Sequence, residues 1–254
     1  MSFSRAILLA AGQGSRLGEL TRHRPKCLMP IRGEPLLVRT VRQLAERGFE
    51  ELVVVVGHMR SVVVAALHES RDAVVRFVEN PAYATDTNIG SLLRGLERYD
   101  DSALVIEADV AFDDDAMDAL AEVAGQDESV WFTTGYFQPW QIGGVLRATP
   151  GGCVTELGYV NRYEPALADM KKLLGVLHAG SAEMPRFHAL LRTAAAQTTA
   201  QYYMMPWVEH LAELPARERD LGGCRTAAFN TPDEYRRCCE LFPSTPQPEE
   251  THVR

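Results

Sequence analysis

The sequence predicts an α/β fold in which a Rossmann-like, three-layer, mainly parallel sheet carries helices on both faces and holds a small inserted antiparallel sheet. Three observations support this prediction. Apolar runs of strand length alternate with amphipathic helical segments through the first 125 residues. The run at residues 51–57 is rich in valine and apolar, as expected of a strand buried on both faces. From residue 129 onward the predicted strands are shorter and glycine turns separate them.

The first half of the chain is predicted to alternate strand and helix. Strands are expected at residues 6–10, 51–57, 73–79 and 102–106, and helices at residues 34–47, 61–68, 89–98 and 113–125. The first of these helices has Leu37, Val41 and Leu44 on one face and ends at Gly48. This order predicts parallel strands joined by right-handed crossovers. Ligands bind at the carboxyl ends of such strands, so we expect the site at that edge.

The second half is predicted to hold the inserted, partly antiparallel sheet that covers one side of the site. Its strands are expected at residues 130–134, 143–147, 153–157 and 173–179, followed by helices at about 183–197 and 205–213. A last strand at 224–229 leads through Thr231-Pro232 into a helix at 233–241. We expect one domain over residues 1–242 and a disordered tail over residues 243–254, which are polar and proline-rich.

Composition and charge exclude several classes of protein. With 254 residues, 46% of them hydrophobic and 24% charged, the chain has the composition of a soluble globular domain. No apolar run approaches the roughly 18 residues of a membrane span, and no signal peptide is visible, so we expect a cytoplasmic protein without a membrane partner. The net charge of −8 argues against a nucleic-acid partner. The sequence does not settle the oligomeric state; we consider a homodimer.

A glycine-rich loop follows the first strand directly. Gly12 and Gly14 let the backbone approach a ligand closely, so that successive N–H groups can point at one anion. The chain then adds polar and cationic side chains within a dozen residues, namely Ser15, Arg16, Arg22, Arg24 and Lys26. A structural turn would account for the glycines alone. The cations favour a triphosphate-binding loop, which would be a local positive region on an acidic protein.

Neither of the common nucleotide-binding motifs fits this loop. The dinucleotide motif G-x-G-x-x-G would require a glycine at position 17, where the chain has Leu17. The P-loop motif ends in G-K-[ST], whereas Lys26 lies between Pro25 and Cys27.

The loop does match the pattern L-A-A-G-x-G-x-R-x, from Leu9 to Leu17, with Pro25-Lys26 about ten residues later. This pattern resembles the signature of the nucleotidyltransferases that activate sugar phosphates and small phosphorylated alcohols. The resemblance implies that Arg16 stabilises the β and γ phosphates and that Lys26 stabilises the α-phosphate and the attacking oxygen. It also implies a set of nucleotide-binding residues in the loop, Ala10, Ala11, Gly12 and Gly14.

The expected metal ligands follow two strands. Asp109 emerges at the end of the buried strand 102–106, where a nucleotidyl transfer needs a carboxylate for the metal; a turn-capping aspartate is the alternative. In the family this aspartate holds Mg²⁺. The second family ligand follows the last strand, where Ala228 replaces the glutamate and Asn230 the aspartate of phosphocholine-type relatives. An amide oxygen can still bind a hard cation, but Asn230 would equally suit a helix cap.

The identity of the nucleotide is inferred from the segment before the third helix. Asn80-Pro81-x-Tyr83, followed by Thr87-Asn88-Ile89-x-Ser91, resembles a stretch of the cytidylyltransferases for phosphocholine and 2-aminoethylphosphonate. Sugar-phosphate enzymes usually carry a Q-x-G-T-type motif here. The resemblance implies CTP, with Asn88 and Ser91 near the base and Asp86 merely adjacent. Asn88 would also suit the N-cap of the following helix.

The acceptor side departs from the phosphocholine enzymes. Leu177 and His178 stand where that family has aromatic residues, and Met204 stands where it has an acid, so the ammonium cage is largely missing. His178 would instead suit an acceptor with a second anion, helped by Arg147, Lys171 or Lys172. A carboxylated phosphonate, as in the phosphonoformate cytidylyltransferases, is the specific expectation. A structural histidine at position 178 is the alternative.

The sequence therefore predicts an enzyme, a CTP-dependent cytidylyltransferase that uses Mg²⁺ to transfer CMP to a small phosphonate or phosphate with release of pyrophosphate. Three alternatives stay open at this point. The acceptor could be phosphocholine or 2-aminoethylphosphonate. The enzyme could act on a sugar 1-phosphate with another nucleotide. The chain could also be a non-catalytic nucleotide-binding subunit, in which Ala228 marks an inactive site.

Overall fold

The computed structural model describes residues 4–70 and 75–243. The strands are β1 (Arg5–Ala10), β2 (Pro30–Ile31), β3 (Glu34–Pro35), β4 (Glu51–Val56), β5 (Val75–Glu79), β6 (Ala103–Glu107), β7 (Val110–Phe112), β8 (Val130–Tyr136), β9 (Gly143–Ala148), β10 (Val154–Val160), β11 (Lys171–Ala179), β12 (Arg217–Asp220) and β13 (Thr226–Ala228). The helices are α1 (Leu36–Glu46), α2 (Arg60–Ser70), α3 (Ile89–Gly95), α4 (Asp114–Ala121), α5 (Met184–Gln197), α6 (Met205–Glu209) and α7 (Pro232–Leu241). Short 3₁₀ helices lie at Ser15–Thr21, Lys26–Leu28 and Pro165–Leu167.

One nine-stranded sheet organises the chain. Its main path runs β10-β9-β11-β6-β1-β4-β5, and β8 and β12 join it through β11. The strands β6, β1, β4 and β5 are parallel, whereas β11 runs antiparallel to β6. The predicted fold class is confirmed. The antiparallel strands, which we expected as an inserted sheet, extend the same sheet as the parallel ones.

Alternate side chains of the central strands supply two hydrophobic cores, one on each face. Ala6 and Leu8 of β1 pack with α1, α2 and α4, whereas Ile7 packs with α3, α5 and α6. All three side chains are fully buried. Burial on both faces explains why β1 and β4 are continuously apolar rather than alternating. The result is the three-layer arrangement that the sequence predicts.

The differences from the predicted elements are local. The helix predicted at 34–47 begins at Leu36, because residues 34–35 pair with Pro30–Ile31 in a small hairpin. The strand predicted at 224–229 is shorter and pairs antiparallel with β7 in a separate two-stranded sheet. Part of the strand predicted at 73–79 and nearly all of the tail predicted at 243–254 lie outside the described residues. Within the described ranges, the helices are too short or too polar to cross a bilayer.

His178 is part of the core. It lies on β11 opposite Leu104 of β6, with its side chain fully buried. Its ring nitrogen Nε2 lies 3.0 Å from the carbonyl oxygen of Gln126, to which it donates as a neutral imidazole, while Nδ1 has no hydrogen-bond partner in the described part of the chain. Burial lowers the pKa of His178, and the bond to Gln126 only partly opposes that effect.

This burial predicts a pH dependence of stability. Because the folded pKa lies below the unfolded value of 6.5, the unfolded chain takes up a proton that the folded chain does not as the pH falls through that value. The free energy of unfolding should therefore decrease below about pH 6.5, by at most about 1.4 kcal/mol per pH unit from this group. Urea unfolding between pH 7.5 and 5 measures the slope of the free energy of unfolding against pH. In His178→Gln the contribution of this histidine to that slope should disappear.

The exposed His23 provides a matched control, since His23→Gln should keep the wild-type slope. An unchanged slope in His178→Gln would contradict the assignment of His178 as a buried neutral histidine.

Candidate active site

The loop after β1 closes tightly around Gly14. This residue has a φ of 65°, and a Cβ at its position would lie only 2.7 Å from the Cβ of Lys26. Glycine is therefore required both by the left-handed backbone and by the close approach of the Lys26 side chain. The carbonyl of Gly14 accepts hydrogen bonds from the backbone N–H of Leu17 and the hydroxyl of Thr21, which fix the start of the 3₁₀ helix that carries Arg16.

Two cations and two polar side chains from distant parts of the chain meet beside this loop. The Lys26 ammonium pairs with Oδ2 of Asp109 and donates to Oδ1 of Asn230 at 2.9 Å. The Arg16 guanidinium donates to the same Asn230 oxygen at 2.6 Å. Lys26 and Asp109 are 13% and 16% exposed, so their charges interact in a largely dehydrated place.

Strand pairing explains this meeting of residues. Because β1 and β6 are parallel neighbours, Leu9 pairs with Glu107 and both strands end at the same edge of the sheet. The loop after β6 carries Asp109, and the β7–β13 ladder brings Ala228 beside Val110. Asn230 therefore follows β13 close to Asp109. Asn230 does not cap α7, because Thr231 and Glu234 form the capping box there.

The residues present fit a hard divalent cation such as Mg²⁺. Oδ1 of Asp109 is buried and has no hydrogen-bond partner in the described residues, and the amide oxygen of Asn230 accepts from the same lysine that pairs with Asp109. The described ranges contain no cluster of three or more His, Cys, Asp and Glu side chains that could hold a metal. A magnesium ion here would therefore depend on ligand phosphates for much of its coordination, which is its usual mode.

A first cavity of about 250 Å³ contains most of the predicted site. The predicted residues that line it are Ala10, Ala11, Gly12, Gly14, Arg16, Lys26, Asn88, Ser91, Asp109 and Asn230. These ten residues come from four separate parts of the sequence. The fold therefore brings all ten residues into one cavity.

Asn88 and Ser91 line this cavity but are held by internal hydrogen bonds. The Asn88 amide donates to Glu107 at 3.0 Å and accepts from the backbone N–H of Tyr203 at 2.8 Å. It makes no capping bond to α3. Asp86, expected to be merely adjacent, accepts from the backbone N–H groups of Gly90 and Ser91 and so takes the capping role.

A second cavity of about 130 Å³ adjoins the first. Five residues line both cavities, namely Arg16, Glu107, Asp109, Tyr202 and Asn230. The walls of the second cavity include the stacked rings of Tyr159 and Tyr202, whose centroids lie 4.5 Å apart. Their hydroxyls are hydrogen bonded at 3.0 Å, and burial together with this bond raises the pKa of Tyr202.

Glu107 is the main residue that sequence reasoning missed. Burial, reinforced by the nearby Asp109 carboxylate, raises the pKa of Glu107 to about 7. Its place as the last residue of β6 was the available signal, since the carboxyl ends of the parallel strands form the edge at which ligands bind.

Two predicted acceptor residues are corrected by the structure. His178 lies at the end of β11 away from Glu107, and its buried side chain lines neither cavity. Arg147 lines neither cavity either, because its guanidinium pairs with Glu156 at 3.0 Å and with Asp169. Lys172, considered only as a helper, lines the second cavity instead. Burial lowers the pKa of Lys172, and Glu107 partly opposes that effect.

The chain is similar to a known protein family and to proteins of known structure. The model of the MobA-like NTP transferase domain matches residues 6–192. The fold is similar to that of the CTP:phosphocholine cytidylyltransferase from Streptococcus pneumoniae, with a TM-score of 0.80 and 22% identity over 94% of this chain and 99% of that one.

Curated relatives match over shorter stretches. The CMP-5'-(3-aminopropyl)phosphonate synthase of Streptomyces rubellomurinus is 37% identical over 153 residues, which are 60% of this chain and 24% of that protein. The 2-aminoethylphosphonate cytidylyltransferase of Lancefieldella rimae is 34% identical over 113 residues, which are 44% of this chain and 45% of that protein. The chain thus spans less than half the length of either relative.

The Lys26–Asp109 pair predicts how metal binding responds to substitution. Without nucleotide, the lysine competes with a cation for the carboxylate, so Lys26→Met should bind Mn²⁺ about tenfold more tightly than the wild type. Asp109→Asn should lose saturable binding. Titration followed by the electron paramagnetic resonance of free Mn²⁺ measures both effects.

Asp115→Asn, at an exposed position in the first turn of α4, is the control and should bind as the wild type does. Wild-type affinity in Asp109→Asn would show that the metal site lies elsewhere.

Proposed function

The chain belongs to the MobA-like NTP transferase family, and from that premise we propose that it transfers CMP from CTP to a small phosphonate and releases pyrophosphate. One observation carries the proposal. Lys26 and Arg16 converge on Asn230, and Lys26 also pairs with Asp109, in a cavity whose other wall is the glycine-rich loop. This is a cation-lined pocket for a polyphosphate beside a place for a divalent metal.

The loop and the two cations bind different phosphates of the triphosphate. Backbone N–H groups around Gly12 and Gly14 and the Arg16 guanidinium bind the β and γ phosphates, which leave as pyrophosphate. Lys26 binds the α-phosphate and stabilises the negative charge that grows there in the transition state. Mg²⁺ bound at Asp109 and Asn230 would offset part of the same charge.

The two adjoining cavities suit an in-line displacement. The nucleotide occupies the first cavity and the acceptor the second, so the α-phosphorus lies near the shared residues Arg16, Asp109 and Asn230. A phosphonate oxygen of the acceptor forms the new bond to the α-phosphorus, and the bond from that phosphorus to the bridging oxygen of pyrophosphate breaks. The attacking oxygen is already anionic, so the reaction needs positioning and charge stabilisation rather than a strong base.

Two further features support CTP and a phosphonate. The segment from Asn80 to Ser91 carries the cytidylyltransferase-like pattern, and both curated relatives are named for CMP-linked or cytidylyl chemistry on phosphonates. The Lys172 cation in the second cavity supports an acceptor that carries a second anion. Phosphonoformate is the smallest acceptor of that kind.

The proposal predicts which substrates release pyrophosphate. With Mg²⁺ and CTP, turnover should occur with a carboxylated phosphonate such as phosphonoformate and exceed that with phosphocholine or glucose 1-phosphate, because Lys172 favours a second anion. Replacement of CTP by UTP or dTTP should lower turnover. A coupled pyrophosphate assay measures each combination. Turnover with glucose 1-phosphate and UTP or dTTP alone would contradict the cytidylyl assignment, and no turnover with any acceptor would favour a non-catalytic nucleotide-binding protein.

The proposal also predicts the effect of removing either cation. Arg16→Ala and Lys26→Ala should each lower kcat by about 10²-fold or more, since both act on charge that develops in the transition state. Thermal unfolding of Arg16→Ala should change little by comparison. Lys26→Ala also removes the cation that pairs with the largely buried Asp109, so its stability should fall as well, and its kcat is measured at a temperature where the variant stays folded. Arg22→Ala is the matched control in the same segment, because Arg22 is 65% exposed and pairs with Glu19 at the surface. Equal losses in Arg16→Ala and Arg22→Ala would contradict a specific role for Arg16.

A further inference from the structure

The second cavity holds a cation with no counter-ion. The Lys172 ammonium donates to the carbonyl oxygens of Leu173 at 2.9 Å and Gly144 at 3.4 Å. None of the described carboxylates lies within 4.0 Å of it. Its neighbour Lys171, by contrast, pairs with Glu218 and Asp220. A half-buried ammonium without an ion pair favours an anion delivered by a ligand.

The same cavity holds a carboxylate with a free oxygen. Oε1 of Glu107 accepts from the Asn88 amide at 3.0 Å, whereas Oε2 has no donor among the described residues. Oε2 faces Gly175, where a Cβ would lie 3.1 Å from it and where the φ of 79° favours glycine. The absence of a side chain at position 175 leaves this oxygen room for a ligand. Glu107 and Lys172 line the same cavity, and the described residues show no ion pair between them.

Aromatic rings complete the surroundings of Glu107. Tyr159 and Tyr202 stack on one another, and Tyr203 stacks on Trp131 with an interplanar angle of 7°. All four residues line the second cavity. Trp131 and Tyr203 are almost fully buried, so the half-buried Tyr159 and Tyr202 supply the aromatic surface that favours an ammonium group near the Glu107 carboxylate.

We propose that the acceptor is a phosphonate whose organic end carries both an ammonium and a carboxylate group, with Glu107 pairing the ammonium and Lys172 the carboxylate. This inference rests on the proposed cytidylyl transfer and names its substrate class. An acceptor with a carboxylate alone, such as phosphonoformate, satisfies Lys172 but brings a second anion towards Glu107. An acceptor with an amine alone leaves Lys172 unpaired. An amino-acid phosphonate pairs with both residues. An acceptor that carries only one of the two groups, a half-substrate, leaves one charge of the site unpaired and should therefore bind less well.

The test uses four phosphonates that differ only in these two groups. They are 2-amino-3-phosphonopropionate, which has both groups, 3-phosphonopropionate, which lacks the amine, 2-aminoethylphosphonate, which lacks the carboxylate, and ethylphosphonate, which lacks both. With CTP and Mg²⁺, kcat/KM from pyrophosphate release should be higher by about 10²-fold for the amino-acid phosphonate than for either half-substrate.

Two variants assign each group to its residue. Lys172→Met should lower kcat/KM about 10²-fold for the amino-acid phosphonate and leave 2-aminoethylphosphonate nearly unchanged. Glu107→Gln should lower kcat/KM for the two amines more than for 3-phosphonopropionate. An effect of the Glu107 substitution on the neighbouring Asp109 would lower kcat/KM equally for all acceptors. The ratio of kcat/KM between acceptors within one variant is therefore free of it. Lys171→Met is the control and should keep the wild-type preference, since Lys171 pairs with Glu218 and Asp220.

Turnover of all four phosphonates at similar kcat/KM, or equal losses for all acceptors in both variants, would overturn this inference and leave the cytidylyl transfer standing. Absence of pyrophosphate release with all acceptors, including those of the wider panel above, would overturn the transfer and this inference together.

Discussion

The ion pair between Lys26 and Asp109 is the interaction on which the site depends. It joins residues 83 positions apart, and it forms only because the parallel pairing of β1 and β6 ends both strands at one edge of the sheet. Asn230 adds a neutral amide that accepts from both Lys26 and Arg16. A carboxylate in this partly buried place would be costly without a partner, so Lys26 stabilises the folded chain by pairing with Asp109. A cation bound at Asp109 would have to compete with this pairing.

The two cavities are built from different parts of the chain. The first is built by local sequence features, a glycine loop and its cations, whose charge and backbone geometry suit phosphate groups. The second is built by residues of β9, β10 and β11 and the segment before α6, which bring Lys172 and the rings of Tyr159 and Tyr202 into one cavity. Only the shared border, which includes Glu107, Asp109 and Tyr202, belongs to both. The phosphate chemistry can thus stay constant in this fold while the acceptor side changes.

The sequence predicted the first cavity better than the second. The fold class, the glycine loop and Asp109 were predictable because each depends on a short local pattern at the end of a strand. The acceptor side was not, because it depends on the register of β11 against β6: Gly175 lies beside Glu107, and His178, only three positions on, faces the core opposite Leu104. Arg147 was misplaced for a similar reason, since β9 turns its first residues, Gly143 and Gly144, to the cavity. No local pattern in a single sequence fixes the pairing of such distant strands.

The most direct measurement of the central claim is a ³¹P NMR time course with the protein, CTP, Mg²⁺ and 2-amino-3-phosphonopropionate. We predict that the phosphonate signal is replaced by two mutually coupled signals, one from the phosphonyl and one from the CMP phosphorus of a P–O–P anhydride, in step with the appearance of pyrophosphate. CTP that stays intact with every acceptor, or that is hydrolysed to CMP and pyrophosphate without any coupled phosphonate signal, would contradict the assignment of this site to nucleotidyl transfer.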